Sequence, residues 1–295
     1  MSKIEYNEQF ISTVVPKGLL IAVGGNEDKE YDLYVLRKVV ELCEKSPVNI
    51  EIITTASEMP EEMEENYSIA FHKIGNNKFQ FMHIHKREQA EEKKYLKRIH
   101  EADIIFFTGG DQLRITSILG GTSFLNTIIQ KYYKERCIVA GTSVGATAMS
   151  QTMIYDGEVS EALLKGNVNL TAGIGFINNV IIDSHFIKRG RFGRLMEVIT
   201  SNPSYLGVGL GEDTGIIIRN GYIIETIGNG LVVVFDGTHI HHSNIAEIEL
   251  GEAIVVEGML VHTLVEGYGF NLQKRQIIKP TEWGKYTKNK QNENN

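Results

Sequence analysis

Cysteine, long apolar runs and excess positive charge are all scarce or missing in this chain of 295 residues. Its two cysteines, Cys43 and Cys137, are too few for a disulfide framework, which is typical of proteins in a reducing compartment. No segment approaches the ~20 consecutive apolar residues that a membrane-spanning helix needs. Residues 1–10 also lack the apolar core of a signal peptide. We therefore expect a cytoplasmic protein with no membrane partner.

The formal net charge of −7 makes the chain a poor match for polyanions, so we expect no nucleic-acid partner. With 42% hydrophobic and 23% charged residues, the composition is that of a globular protein and excludes general disorder. A single α/β domain can reach this length. We predict one domain over residues 1–284 and a polar, disordered tail over residues 285–295.

In the first half of the chain, short apolar runs alternate with segments of helical spacing. The apolar runs cover residues 18–23, 49–55, 79–84, 103–107 and 137–140, and the helical segments cover residues 31–45, 58–73, 88–100 and 112–133. Strands separated by helices predict a doubly wound, mostly parallel sheet sandwiched by helices. In such folds ligands bind beyond the carboxyl ends of the strands.

After about residue 206 the pattern becomes β-rich. Short runs with strand character occupy residues 215–219, 222–227, 231–235 and 239–242, and Asn220-Gly221 is a strong hairpin signal. These runs predict a β-rich C-terminal extension that either continues the main sheet or adds a small antiparallel layer.

The sharpest chemical signal is Gly141-Thr142-Ser143-Val144-Gly145, which follows a strand and precedes a run compatible with a helix. A tight strand-to-helix turn presents the central hydroxyl above the sheet edge, where backbone N–H groups can stabilise an oxyanion. We therefore interpret Ser143 as a nucleophile rather than as an incidental serine in a glycine-rich turn.

A nucleophilic serine needs a base and an orienting carboxylate. His185 stands where an apolar strand ends, and Glu212 and Asp213 end another, with only one of the two carboxylates expected to reach the site. The residue inventory alone leaves open the order serine, acid, histidine. In that order Ser143 would pair with an acid, Asp183 or Glu212, and with a later histidine. The candidate histidines are His239, His241, His242 and His262.

Three further segments are candidates for the site. The glycine turns at residues 24–28 and 108–112 end two strands, and the second offers backbone N–H groups and the side chains of Asp111 and Gln112. Residues 188–194 contain four cations close to His185, and arginine is suited to binding carboxylates. His239 and His241 would share one face of a strand, but no third ligand is evident, so we predict no metal.

Taken together, these residues resemble the cyanophycinases, serine peptidases related to aspartyl dipeptidase and, more distantly, to the class I glutamine amidotransferase fold. The matching segments cover residues 18–215 in the order of the family. They are Gly24-Gly25-x-Glu27-Asp28-Lys29, Phe107-Thr108-Gly109-Gly110-Asp111-Gln112, Gly141-Thr142-Ser143-x-Gly145-Ala146, Asp183-x-His185-Phe186, Arg189-Gly190-Arg191-x-Gly193-Arg194-Leu195 and Gly211-Glu212-Asp213-Thr214.

The resemblance implies Ser143 as nucleophile, His185 as base and Glu212 as orienting acid, and so favours the order serine, histidine, glutamate. We expect N–H groups near Gly110 and Val144 to bind the oxyanion. The resemblance further implies a pocket for a β-linked aspartyl-arginine unit, a homodimer, and no metal or organic cofactor. The residues of that pocket are Gln112, Asp183, Arg189, Arg191 and Arg194, to which we add Asp111 and Ser184.

The implied activity is that of a serine exopeptidase that releases β-Asp-Arg dipeptides from the polyaspartate backbone of cyanophycin. The arginines would bind the free carboxylates of the substrate, and Glu27, Asp111 or Asp183 would receive its guanidinium groups. Val144 stands where the family usually has alanine and Ser184 where it has glutamine, which bears on fine specificity. The alternatives are an α-aspartyl dipeptidase and a non-catalytic binding protein for acidic ligands.

Overall fold

The computed structural model describes residues 14–157 and 163–287. Its first half alternates strands and helices, as predicted. The elements are β1 (Leu19–Val23), α1 (Tyr34–Glu41), β2 (Val48–Ile53), α2 (Pro60–Ile74), β3 (Asn77–Met82), a 3-10 turn (Arg87–Glu91), α3 (Lys93–Glu101), β4 (Ile104–Phe107), α4 (Gln112–Leu119), α5 (Ser123–Lys134) and β5 (Ile138–Thr142).

Local sequence explains where the helices near the site begin. Pro60 opens α2, a position where its missing N–H costs nothing. The Asp111 carboxylate accepts a hydrogen bond from the Arg114 N–H at 2.8 Å and so caps α4. The Thr122 hydroxyl caps α5 in the same way.

The second half is mostly β-structure. It contains α6 (Val144–Thr147), β6 (Thr152–Gly157), β7 (Val168–Ala172), β8 (Val180–Asp183), α7 (Phe192–Ser201), β9 (Leu206–Leu210), β10 (Thr214–Arg219), β11 (Ile223–Gly228), β12 (Val232–Asp236), β13 (His242–Ser243), β14 (Val256–Glu257), β15 (Leu260–Leu264), β16 (Gly269–Asn271), β17 (Gln276–Ile278), a second 3-10 turn (Pro280–Glu282) and α8 (Gly284–Thr287).

The main sheet has nine strands in the order β17-β16-β11-β10-β1-β5-β4-β2-β3. The five strands from β1 to β3 in this order run parallel, whereas β10, β11, β16 and β17 are antiparallel to their neighbours. A second sheet has the order β15-β12-β9-β8. The β-rich extension thus both continues the main sheet and builds a second one, and the predicted fold class is confirmed.

One apolar cluster joins the two sheets. It contains Phe107 and Val139 from the main sheet and Ile182 and Val208 from the second, all buried. This shared core fixes the ends of β5, β8 and β9 relative to one another. The chemistry-bearing residues follow these strand ends.

Two local predictions differ from the structure. Residues 239–241 do not form a strand, because Thr238 bonds back to the Asp236 carboxylate and the Ile240 N–H to the Gly237 carbonyl, which makes a tight turn. The predicted disordered tail begins inside α8, next to Trp283, which donates to the Gly267 carbonyl at 2.8 Å. Residues 288–295 lie outside the described residues. Within the described ranges, no helix has the length and apolar character needed to cross a bilayer.

Candidate active site

Ser143 occupies the turn between β5 and α6, as predicted. Its φ of 52° and ψ of −114° are unfavourable for a residue with a side chain, and such strain persists where the surrounding structure holds it. The Ser143 N–H donates to the Val23 carbonyl at 3.0 Å, and the Ser143 carbonyl accepts from the Thr147 N–H at 3.0 Å. These bonds hold the turn so that the hydroxyl projects from the sheet edge.

A chain of two hydrogen bonds links the three residues predicted to act together. Ser143 Oγ lies 2.9 Å from His185 Nε2, and His185 Nδ1 lies 2.7 Å from Glu212 Oε1. The histidine side chain is 13% exposed and the glutamate 27%, so the site is open enough to meet a substrate. This is the hydrogen-bonded arrangement that a serine, base and orienting acid require.

Two histidines of the alternative order, His241 and His262, contact other groups. His262 lies on β15 and packs against the Phe270 ring at 5.3 Å. The exposed His241 pairs with Glu257 at 3.0 Å. In the parts of the chain that the structure describes, no group of three or more His, Cys, Asp or Glu side chains is arranged to hold a metal.

Of the two neighbouring carboxylates, only Glu212 reaches the histidine. The hydrogen bond to His185 lowers the pKa of Glu212, with smaller contributions from Asn26 and Lys188. Asp213 instead accepts a hydrogen bond from the Asp28 N–H at 3.0 Å, and burial raises its pKa. Glu212 is therefore held as a carboxylate against the imidazole.

The turn after β1 supports this arrangement. The carbonyl of Gly24 accepts from the His185 N–H at 2.7 Å, and Asn26 Nδ2 donates to Glu212 Oε2 at 3.2 Å. Gly25 has a φ of 94°, and a Cβ there would lie 2.4 Å from the His185 ring. Only glycine fits at this position.

The two predicted oxyanion donors, Gly110 and Val144, belong to segments next to Ser143. Gly110 belongs to the turn after β4, where a Cβ on its neighbour Gly109 would lie 3.2 Å from the Ser143 Cβ. Val144 is the first residue of α6, a position whose N–H has no acceptor within the helix. The valine side chain is buried, so its bulk points into the core.

Asp183 and two of the predicted pocket arginines, Arg191 and Arg194, are paired with one another. Asp183 is fully buried, with Arg194 Nε 2.7 Å from Oδ2 and Arg194 Nη2 in contact with Oδ1. Arg191 Nη1 donates to Asp183 Oδ1 at 3.1 Å and to the Ser184 carbonyl at 2.7 Å. Burial lowers the pKa of Arg191 to about 10. The buried Asp183 carboxylate is therefore already paired with two protein guanidinium groups.

The other predicted contact residues differ in accessibility. Glu27 is only 3% exposed and accepts from Thr142 and Tyr67, so it too is closed to a substrate guanidinium. The side chain of Ser184 is also buried. Arg189 and Asp111 are exposed and Gln112 is half-buried. The sequence placed the turn at residues 24–28 near the site but assigned no contact to Asn26, which donates to Glu212.

The sequence and the fold can be compared with those of known proteins. Residues 19–226 match peptidase family S51. The chain is 32% identical to a cyanophycinase from Trichormus variabilis over 262 residues, which cover 89% of this chain and 88% of the relative. It is 31% identical to a cyanophycinase from Synechococcus elongatus over 261 residues, which cover 88% and 81%.

A solved structure shares the fold. It is a peptidase from an acI-B1 actinobacterium with a TM-score of 0.64, 20% sequence identity and coverage of 88% of this chain and 97% of that one. The fold, the matched residues and the extent of identity agree with one another. The chain therefore belongs to peptidase family S51 and is a serine-type peptidase.

Proposed function

We propose that this protein is a cyanophycinase, a serine exopeptidase that hydrolyses the polyaspartate backbone of cyanophycin and releases β-Asp-Arg dipeptides. The observation that carries the proposal is the hydrogen-bonded chain from Ser143 through His185 to Glu212. It occurs in a chain that is about one third identical to proteins named cyanophycinase over most of its length.

In the proposed reaction the first step forms an acyl-enzyme. His185 Nε2 takes the proton from Ser143 Oγ as the oxygen bonds to the scissile carbonyl carbon. Glu212 accepts the hydrogen bond from Nδ1–H, which leaves Nε2 free as the base and stabilises the imidazolium that forms. The negative charge moves to the former carbonyl oxygen, where the N–H groups of Gly110 and Val144 would stabilise it.

Collapse of this intermediate breaks the C–N bond, and the imidazolium donates its proton to the leaving amine. Water then attacks the acyl carbon, and His185 takes a proton from this water. When the acid product is released, the proton passes from His185 to Ser143 Oγ. No step needs a metal or an organic cofactor.

The accessible side chains at the same edge of the sheet as Ser143 would bind the substrate. Arg189 is an exposed cation on the segment that follows His185, and a guanidinium is well suited to a free carboxylate of the substrate. Gln112 and Asp111, at the start of α4, offer an amide and a carboxylate beside the turn that carries Gly110. We propose that Asp183, Arg191 and Arg194 act indirectly and hold the backbone of Ser184 and His185.

The test is dipeptide release from purified cyanophycin by the wild type and by Ser143→Ala. We expect release by the wild type and a loss of at least about a thousandfold in the variant, because the nucleophile is gone. Ser117→Ala changes an exposed serine on α4 and should release dipeptide at the wild-type rate.

Activity in Ser143→Ala would show that another group is the nucleophile. If the wild type releases nothing but Ser143 reacts with a fluorophosphonate, the peptidase assignment stands and the cyanophycin assignment is wrong. The α-aspartyl dipeptidase would then be tested with α-aspartyl dipeptides. A binding protein would fail to react with the reagent at all.

We further propose that the protein is a cytoplasmic homodimer. The two free cysteines fit a reducing compartment. Light scattering coupled to size-exclusion chromatography would measure the mass, and a value near the monomer's 33.1 kDa would contradict the dimer. Cell fractionation would test the compartment.

A further inference from the structure

A buried carboxylate lies beneath the nucleophile turn and takes no part in the hydrolytic steps. Glu27, 3% exposed, accepts a hydrogen bond on Oε2 from Thr142 Oγ1 at 2.5 Å. Its Oε1 accepts from the Tyr67 hydroxyl and lies 3.0 Å from Lys29 Nζ. A buried carboxylate with this many donors is a fixed anchor rather than a ligand for substrate.

The electrostatics keep this anchor charged. Burial by itself would raise the pKa of Glu27, but the nearby Lys29 cation and the hydrogen bonds from Thr142 and Tyr67 outweigh it. The pKa therefore lies below its usual value. Hydrogen bonds to an ionised acceptor are stronger than neutral ones, so the bond from Thr142 is a firm constraint.

The position of Thr142 makes this constraint relevant to the reaction. Thr142 is the last residue of β5 and is covalently joined to Ser143, whose strained backbone must be held in place. Glu27 belongs to the same turn after β1 that accepts the His185 N–H and carries Asn26 against Glu212. One short segment thus contacts the surroundings of all three residues of the hydrogen-bonded chain.

We propose that Glu27 is a positioning residue that acts through the Thr142 hydroxyl to keep Ser143 within hydrogen-bond distance of His185. This role rests on the proposed function of Ser143 as the nucleophile. It differs from substrate binding because Glu27 is closed to solvent.

The experiment compares two substitutions of the residue that links Glu27 to the nucleophile. Thr142→Val keeps the shape and removes the donor, whereas Thr142→Ser keeps the hydroxyl. We expect Thr142→Val to lower kcat for dipeptide release, and the second-order rate of Ser143 labelling by a fluorophosphonate, by about tenfold, with KM changed by less than about twofold. Thr142→Ser should recover most of that loss.

A matched control is Thr226→Val on β11. Thr226 is also buried, but its hydroxyl has no hydrogen-bond partner within the described residues, so its removal should leave kcat and labelling unchanged. Thermal unfolding of each variant separates a loss of folded protein from a loss of rate per folded molecule.

Wild-type kcat and labelling in a folded Thr142→Val variant would overturn the positioning role and leave the proposed function intact. An equal loss in Thr142→Ser, or a loss explained wholly by unfolding, would mean that the contact is merely structural and would also overturn it. If the wild type itself neither releases dipeptide nor labels at Ser143, the nucleophile assignment and the positioning role both fail.

Discussion

Two carboxylates at the ends of neighbouring strands have opposite surroundings. Asp183 ends β8 and Glu212 follows β9, and these strands pair in parallel. The Asp183 side chain is fully buried against Arg194, itself 6% exposed, whereas Glu212 is 27% exposed against a histidine. A closed ion cluster and an open hydrogen-bonded chain thus stand side by side.

The difference teaches that closeness to a reactive residue does not settle what a charged side chain does. Asp183 is two residues from His185, yet both of its oxygens are occupied by arginines. Glu212 is distant in sequence but holds the imidazole directly. A charge that is buried and paired contributes mainly to structure, whereas an accessible one can take part in chemistry.

Loss of the hydrogen bond between Glu212 and His185 should have the largest effect on kcat. In Glu212→Gln, Asn26 Nδ2 still needs an oxygen on its side, so the new amide nitrogen would face His185 Nδ1. The imidazole would then carry its proton on Nε2, which is the wrong tautomer for a base. We expect kcat to fall by roughly a thousandfold with little change in thermal stability.

The matched control is Glu225→Gln, which changes a carboxylate of similar exposure, 28%, paired with Arg219 away from the site. Its kcat should stay within about twofold of wild type, as for an exposed pair. Equal kcat values for the Glu212 and Glu225 variants would remove Glu212 from the proposed mechanism.

Loss of the ion pairs between Asp183 and its two arginines should mainly lower the stability of the protein. Asp183→Asn leaves two guanidinium groups without their counter-ion, one of them almost fully buried, which should lower the free energy of unfolding by about 3 kcal/mol. Asp103→Asn is the comparison. Its partner Lys45 is 72% exposed, so the free energy of unfolding of this variant should fall by about 1 kcal/mol or less.

Urea denaturation of both variants measures this difference. An Asp183→Asn variant that is as stable as wild type but binds cyanophycin less tightly would restore the original prediction that this carboxylate contacts substrate.

The smallest expected effect concerns the exposed cation beside the site. Arg189→Gln removes a candidate carboxylate ligand without disturbing a buried pair, so we expect KM to rise by about fivefold while kcat and stability remain unchanged. Arg136→Gln removes an exposed arginine that pairs with Glu44 instead, and steady-state kinetics should show no change. A KM unaffected in Arg189→Gln would exclude this side chain from substrate binding.

Much of the site follows from local sequence. A glycine-flanked serine between a strand and a helix has few conformations open to it, and His185 and Glu212 stand where apolar strands end. The carboxyl ends of strands meet at one edge, so their convergence could be predicted before the structure was known. The choice between a late histidine and His185 depended on the family resemblance.

The burial of the ionic groups could not be predicted in the same way. Whether Asp183 faces substrate or Arg194 depends on how α7 packs on the second sheet, which no local pattern encodes. The Glu27–Thr142 contact joins residues 115 positions apart. The turn at residues 239–241 and the helical turn after Trp283 were likewise decided by contacts with Asp236 and Gly267.

The pairing of β1 with β10 has a consequence for how activity arises during synthesis. Leu20 lies opposite Ile218, so β1, which leads into the first glycine turn, cannot pair with β10 until almost 200 further residues have been made. Such distant pairings form late in folding. Glu212 lies two residues before β10, so the carboxylate that contacts His185 is made only when synthesis has almost reached this strand. A truncated product that ends before Glu212 would lack the carboxylate that holds the His185 imidazole.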